Sequence, residues 1–147
     1  MQRIVLYMFN SKNILHILTI LEAIEKIFIY SSDFKDEEEF YFSNKQLNFN
    51  ATVNLLIAIG EENKKIDEAL KSSDKINWKN ISAMRDKIAH NYRGIDESMV
   101  WEIIINYLPT LKELLVEMLP KIDDSSLYIQ EALKTSYYQE LHYLVVK

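Results

Sequence analysis

The sequence predicts an all-α protein: an antiparallel four-helix bundle with an additional C-terminal helix. Apolar residues recur at three- and four-residue spacing along most of the chain, which is the helical period. Only two Gly and two Pro interrupt 147 residues. That is too few for a hairpin-rich β fold, a dinucleotide-binding fingerprint or a P-loop, each of which needs glycine at several special backbone positions. With 48% hydrophobic and 27% charged residues, residues 1–147 read as one domain large enough to bury a core unaided. The absence of cysteine removes disulfides and thiol catalysis from consideration.

Ser11 is placed to cap a first helix, about 11–31, in which Ile14, Ile17, Leu18, Leu21, Ile24, Ile27 and Phe28 share a face. Residues 33–44 are acidic and aromatic without a clean period and read as a loop or a frayed helix start. A second helix, 45–71, carries Leu47, Ala51, Leu55, Ile59, Ile66 and Leu70. Gly60 inside it costs about 1 kcal/mol relative to Ala, which points to a close contact there. After a turn at 72–75, Asn77 caps a third helix running from 78 to about 92, and Gly94 stops it. Asp96 caps a fourth, with Val100, Ile103, Tyr107, Leu111, Leu114 and Met118 as its stripe. Pro109 within that stripe predicts a kink or break near Asn106. Beyond Pro120, a polar hinge at 123–126 leads to a last helix aligning Leu133, Tyr137, Leu141 and Leu144. The bundle thus covers about 11–119, and a C-terminal extension, about 120–147, packs on it or reaches toward a partner.

The opening apolar run, residues 4–9, is short for a secretory leader and lacks a small-residue cleavage site. The longest other run, 55–59, falls far below the ~20 residues of a membrane span. The expectation is a soluble, cytoplasmic protein without membrane contact.

Net charge is −5, but it is unevenly spread. Residues 64–93 carry Lys64, Lys65, Lys71, Lys75, Lys79, Arg85, Lys87 and Arg93 against Asp67, Glu68, Asp74 and Asp86. Both flanking regions are acidic, so the pattern points to a local anion site, the bland alternative being a solvated helical face.

The histidines are His16, His90 and His142. None follows Glu at the three-residue spacing of di-iron bundles, and no cysteine is available to complete a zinc site, so no metal or other cofactor is expected. His16 reads as a helix-boundary side chain and His142 as packing or surface. His90 differs. At about 100° per residue, with Arg85 set at zero, the stripe of Ile81, Met84 and Ile88 centres near −65°, whereas His90 falls near +140°. It faces away from its own core, and Asp86, four residues earlier on that outward face, can orient its ring or pair with it. Tyr92 falls on Arg85's side of the helix. An outward imidazole, a guanidinium and a phenol on the one basic stretch suggest phosphate handling.

Residues 85–92, read as Arg-x-x-x-x-His-x-Tyr, resemble the motif of the HepT-like toxins, a branch of the HEPN superfamily. Ile59-Gly60-Glu61, Trp78 with its lead-in to the motif, Gly94-Ile95-Asp96, Val100-Trp101 and Leu108-Pro109-x-Leu111 resemble the flanks, so the likeness spans about 11–119. The resemblance implies a HEPN-type bundle, a homodimer, and the toxin of a toxin–antitoxin pair that cleaves RNA without a metal. It also implies an MNT-type nucleotidyltransferase antitoxin as partner. Arg85 and His90 would be the catalytic pair, Asn91 and Asp86 their support, and Tyr92 the acceptor of AMP from the antitoxin. The competing reading is a non-catalytic HEPN bundle that binds a nucleotidyltransferase or RNA without cutting it. A purely structural bundle would keep the motif only as a helix cap and ion pair. Trp78 and Trp101 read as core or interface anchors rather than base-stacking platforms.

Overall fold

A computed structural model describes residues 9–90 and 94–145, the side chains of Arg85, Ala89 and His90 excepted. Among the described residues the regular structure is helical apart from one isolated parallel bridge between Phe9 and Ile122. The all-α class follows. No helix among the described residues is long and apolar enough to cross a membrane.

Helix α1, Lys12–Ser31, buries Ile14, Ile17, Leu18, Leu21, Ile24 and Ile27 completely, as its period predicts. Its cap differs from expectation. Ser11 has helical backbone angles and no side-chain cap bond, whereas a cap hydroxyl reaches the first amides from an extended backbone. Asn10 acts instead, its Oδ1 accepting from Lys12 N–H at 2.8 Å. In the region expected as loop or frayed helix, α2, Glu37–Phe42, is a short capped helix. Asp36 Oδ1 accepts from Glu39 N–H at 2.9 Å, three glutamates fill the first turn, and Phe40 is fully buried.

The second expected helix is shorter at both ends. Helix α3 is Leu47–Lys65. Asn44, Lys45 and Gln46 have positive φ of 52°, 55° and 69°, so the chain arrives through a left-handed turn. At the other end Ile66 turns extended and buries its side chain. Asn13 of α1 fixes that exit, its Oδ1 accepting from Asp67 N–H at 2.9 Å and its Nδ2 donating to Asp67 Oδ2 at 3.1 Å. Leu70 is buried from a separate 3-10 turn, Glu68–Leu70. Its place on the apolar stripe therefore comes from a different element than its spacing suggests. Gly60 lies within α3 and is buried.

Helix α4, Trp78–His90, buries Ile81, Met84 and Ile88, while Asp86 and Lys87 are exposed. The extension of this helix toward 92 lies outside the described residues. Gly94 has no left-handed backbone and open space around the position of a Cβ, so it is not the left-handed terminator that helix-stopping glycines supply. Asp96 caps α5, Glu97–Glu102, accepting from Ser98 and Met99 N–H. The irregularity expected near Asn106 is a π-turn, Ile103–Tyr107, before α6, Leu108–Met118, which carries Pro109 in its first turn.

The expected single last helix is two pieces: α7, Ser125–Ala132, and a kinked 3-10 segment, Ser136–Leu144. The break sits at Thr135, whose backbone is extended and whose hydroxyl donates to Ala132 O at 2.8 Å, closing α7. The second piece lies across α1. Leu141 is fully buried, Tyr138 Oη is 3.3 Å from Thr19 Oγ1, and the Lys26 and Lys112 ammonium groups stand over the Tyr137 and Tyr143 rings, each at 4.7 Å. Helix α1 is therefore central, between α3 and the C-terminal segment. Among the described residues helix α4 packs chiefly on α3.

Candidate functional site

Arg85 and His90 stand on one unbroken helix, five positions apart, which separates their backbones by about 7.5 Å along the axis. Asp86, also on α4, is exposed. The Arg85 and His90 side chains, and Asn91 and Tyr92 altogether, lie outside the described residues, so the structure sets the register of the pair and not its side-chain geometry.

What the structure does define is how α4 is held. Asn77 Oδ1 accepts from Lys79 and Asn80 N–H, capping the helix. Asn63 of α3, fully buried, donates through Nδ2 to Trp78 O at 3.1 Å and Ser82 Oγ at 2.9 Å. The Trp78 indole donates to Ser73 O at 3.0 Å and holds the preceding turn. Lys71 completes the joint. Its side chain is 2% exposed, and Nζ donates to Asn63 O, one of the last carbonyls of α3, at 2.8 Å while pairing with Glu68 at 3.2 Å. A cation on open C-terminal carbonyls satisfies both the orphan acceptors and the helix dipole. These contacts pair the end of α3 with the start of α4, so the helices run antiparallel and the motif end of α4 approaches the beginning of α3.

Four lysines of the basic stretch, Lys64, Lys71, Lys75 and Lys79, line clefts beside Trp78 together with the carboxylates of Glu68, Asp74 and Asp86. Two open clefts, about 550 and 350 Å³, share Glu68, Lys71, Trp78 and Lys79 in their walls. Lys75 lines the first, and Lys64 with Asp86 the second, which connects the basic cleft to the motif helix. Trp78 and Trp101 both serve as anchors, Trp101 packing against the Phe40 ring at a centroid distance of 5.5 Å.

Three participants escape a reading of spacing alone. His16, taken as a helix-boundary residue, has its Nδ1 2.7 Å from Glu62 Oε2, and Lys65 lies 3.4 Å from the other carboxylate oxygen. Asn63 and Lys71 look like ordinary polar residues of one long helix. A clue existed for Lys71, since it follows a run that ends α3 and precedes the Ser72-Ser73 turn. His142 is exposed on the C-terminal segment. Among the described residues no group of three His, Cys, Asp or Glu side chains is placed to hold a metal ion.

Among the described residues the groups whose acidity departs from normal lie where α1 meets the C-terminal segment. Burial pushes the Glu22 carboxyl up, against the lowering effect of Lys26 at 3.6 Å; Glu140 and Glu25 add to the rise. Burial also raises the Tyr143 phenol, reinforced by the charge and hydrogen bond of Glu25.

The family described as Ribonuclease HepT-like matches residues 20–118. A Methanocaldococcus jannaschii protein whose name pairs a gamma-glutamylcyclotransferase with an RNase is 34% identical over 71% of this chain and 46% of its own length. A Caldanaerobacter subterraneus subsp. tengcongensis protein with RNase in its name is 36% identical over 48% of this chain and 64% of its own. The chain thus spans about half of the first and just under two-thirds of the second. A Thermococcus cleftensis protein named as a probable ribonuclease HepT is 33% identical over 63% of this chain and 83% of its own length. No solved structure matches the chain significantly.

Proposed function

This chain belongs to the HepT-like ribonuclease family, and from that membership we propose that it is an endoribonuclease that cuts RNA without a metal, using Arg85 and His90. The observation that carries the proposal is the pair's placement five positions apart on α4, a helix anchored through Asn63, Asn77 and Trp78 beside a lysine-lined cleft.

The chemistry asked of these residues is modest. The RNA's own 2′-hydroxyl attacks the adjacent phosphorus, a 2′-O–P bond forms, and the 5′-O–P bond breaks. A base takes the 2′ proton, an acid protonates the leaving 5′ oxygen, and a cation stabilises the charge building on the phosphorane. Imidazole titrates in the range that serves as base or acid, and a guanidinium engages two phosphate oxygens at once. Asp86 and Asn91 are proposed to support the pair. One chain carries one motif histidine, whereas in-line transfer benefits from a group on each side. A twofold homodimer bringing two copies of α4 to one groove supplies both. The exposure of Asp86 and Lys87 on α4 supports that reading, since it leaves a polar face of the motif helix at the surface, where a symmetry mate can reach it.

The same reading makes the protein the toxin of a pair, silenced when an MNT-type nucleotidyltransferase antitoxin transfers AMP to the Tyr92 hydroxyl. The Tyr92 oxygen forms a bond to the α-phosphorus of ATP, pyrophosphate leaves, and the phenol proton passes to solvent. The adduct adds bulk and negative charge two residues after His90 in the sequence, next to the pair that must receive an RNA phosphate.

The test is cleavage of a mixed RNA in chelator. Wild type should cut, and Arg85→Ala and His90→Ala should not while remaining folded. Wild-type rates in His90→Ala would overturn the catalytic assignment, and strict dependence on added magnesium would overturn metal independence. Sedimentation should give a dimer at micromolar concentration, a monomer refuting the shared groove. Incubation with antitoxin and ATP should add AMP mass to the peptide holding Tyr92, and Tyr92→Phe should escape silencing. Mass on other tyrosines alone would refute that role.

A further inference from the structure

At the opposite end of α3 from the joint lies a cavity of about 290 Å³, lined by Tyr41 of α2, Gln46 of the left-handed turn, Asn50 and Asn54 of α3, and Ile95 beyond the motif, with Phe49 and Val53 at its apolar wall. Its polar lining is unusual in kind. It presents three neutral amides and one phenol, and among the described residues no charged side chain borders it. Asn50 and Asn54 are four residues apart, on one face of α3, and both are exposed. Among the described residues no hydrogen-bond partner is present for the side chains of Gln46, Asn50, Asn54 or Tyr41.

The turn that forms the rim is held in place. Asn44 Nδ2 donates to Asn48 Oδ1 at 2.9 Å, and Asn48 Nδ2 donates to Tyr30 O at 3.0 Å, tying the three left-handed residues to the end of α1. Non-glycine residues in this conformation cost energy, and here three occur in succession. The aromatic side is equally fixed: the Tyr41 ring meets the Phe49 ring edge-on at 4.7 Å, and Phe49 is buried against Phe40.

We propose that this cavity is a nucleobase subsite that receives one base of the RNA substrate close to the cut, and that Asn50, Asn54 and Gln46 read its hydrogen-bonding edge. The inference rests on the ribonuclease reading above. Amides carry a donor and an acceptor side by side, as base edges do, and bidentate amide–base pairs discriminate between bases. Single-stranded RNA is recognised by splayed bases set against aromatic walls and read along their edges. The volume lies at the small end of ligand sites, which suits one planar base. Position supports the assignment twice over. Ile95 is five residues from His90, a path of at most about 18 Å. And because α4 runs antiparallel to α3, its motif end approaches the first turns of α3, where Asn50 and Asn54 stand.

The experiment uses the full-length protein and short RNAs carrying one 4-thiouridine at successive positions around the cleavage site. Irradiation should crosslink the thio-base near the cut to the peptide spanning residues 41–54. Crosslinks confined to other peptides, or none, would overturn the subsite whether or not the protein cleaves. Crosslinking there by a protein that cuts no RNA would keep the subsite and overturn the ribonuclease reading. In the cleavage assay, Asn50→Asp and Asn54→Asp each replace an amide donor by an acceptor at an exposed position. The wild-type ratio of rates between preferred and disfavoured bases at the recognised position should fall about tenfold. An unchanged ratio in both variants refutes edge reading by these amides.

Discussion

At the C-terminal end of α3 the amides are committed to the fold, whereas at its N-terminal end two of them face an open cavity. Asn63 is fully buried and donates to a backbone carbonyl and a hydroxyl of α4, and Asn13 clamps Asp67 as the chain leaves α3. Asn50 and Asn54, of the same residue type and on the same helix, are exposed and line a pocket. The difference lies in what surrounds each amide. Where two helices close over a helix end, buried backbone groups need partners and take the nearest amide. Beside the left-handed turn the two amides point to the surface, and no hydrogen bond among the described residues engages them.

The comparison yields substitutions of graded effect. Asn63→Ala should be the most damaging, about 2–3 kcal/mol by urea denaturation, because Trp78 O and Ser82 Oγ lose a buried donor at the joint that positions the motif helix. Lys71→Met keeps the aliphatic stem but removes the donor from Asn63 O, and should cost about 1–3 kcal/mol in the same measurement.

Glu22→Gln should act in the opposite direction. Glu22 is 1% exposed, and neither oxygen has a hydrogen-bond partner among the described residues. Burial raises its folded pKa above 4.5, against the lowering effect of Lys26, so the folded chain holds this proton more tightly than the unfolded chain does. The stability this confers is present below pH 4.5 and is lost as pH rises through the folded value. At pH 7 the glutamine variant should therefore be more stable than wild type by about 0.5–2 kcal/mol, and thermal melts should converge as pH falls below 4.5. Lys26, Glu25 and Glu140 are the charges around this group, and a constant difference across that pH range would assign the effect to packing instead.

The smallest effect is expected at the open end. Asn50→Ala and Asn54→Ala should change stability by no more than about 0.5 kcal/mol, since neither side chain holds another group in place. A loss there as large as that of Asn63→Ala would break the comparison and make these amides structural.

Much of this arrangement was legible from nearest-neighbour rules. The buried face of α1, the cap at Asp96, the disturbance before Pro109 and the buried stripe of α4 all depend on spacing within one helix or on the missing N–H of one proline, so the sequence is sufficient. The positions of Arg85, Asp86 and His90 on one helix were legible for the same reason.

Tertiary structure alone decided where α3 ends, because the residue that stops it, Asn13, lies 54 positions from Asp67. It alone broke the last helix and laid its second half across α1, where Leu141 finds burial. It gave His16 its carboxylate partner from α3 and turned Lys71 from an apparent surface charge into a buried cap. Local spacing fixes which residues share a face. Which buried backbone groups remain without partners, and which distant side chains reach them, is settled only when the helices pack.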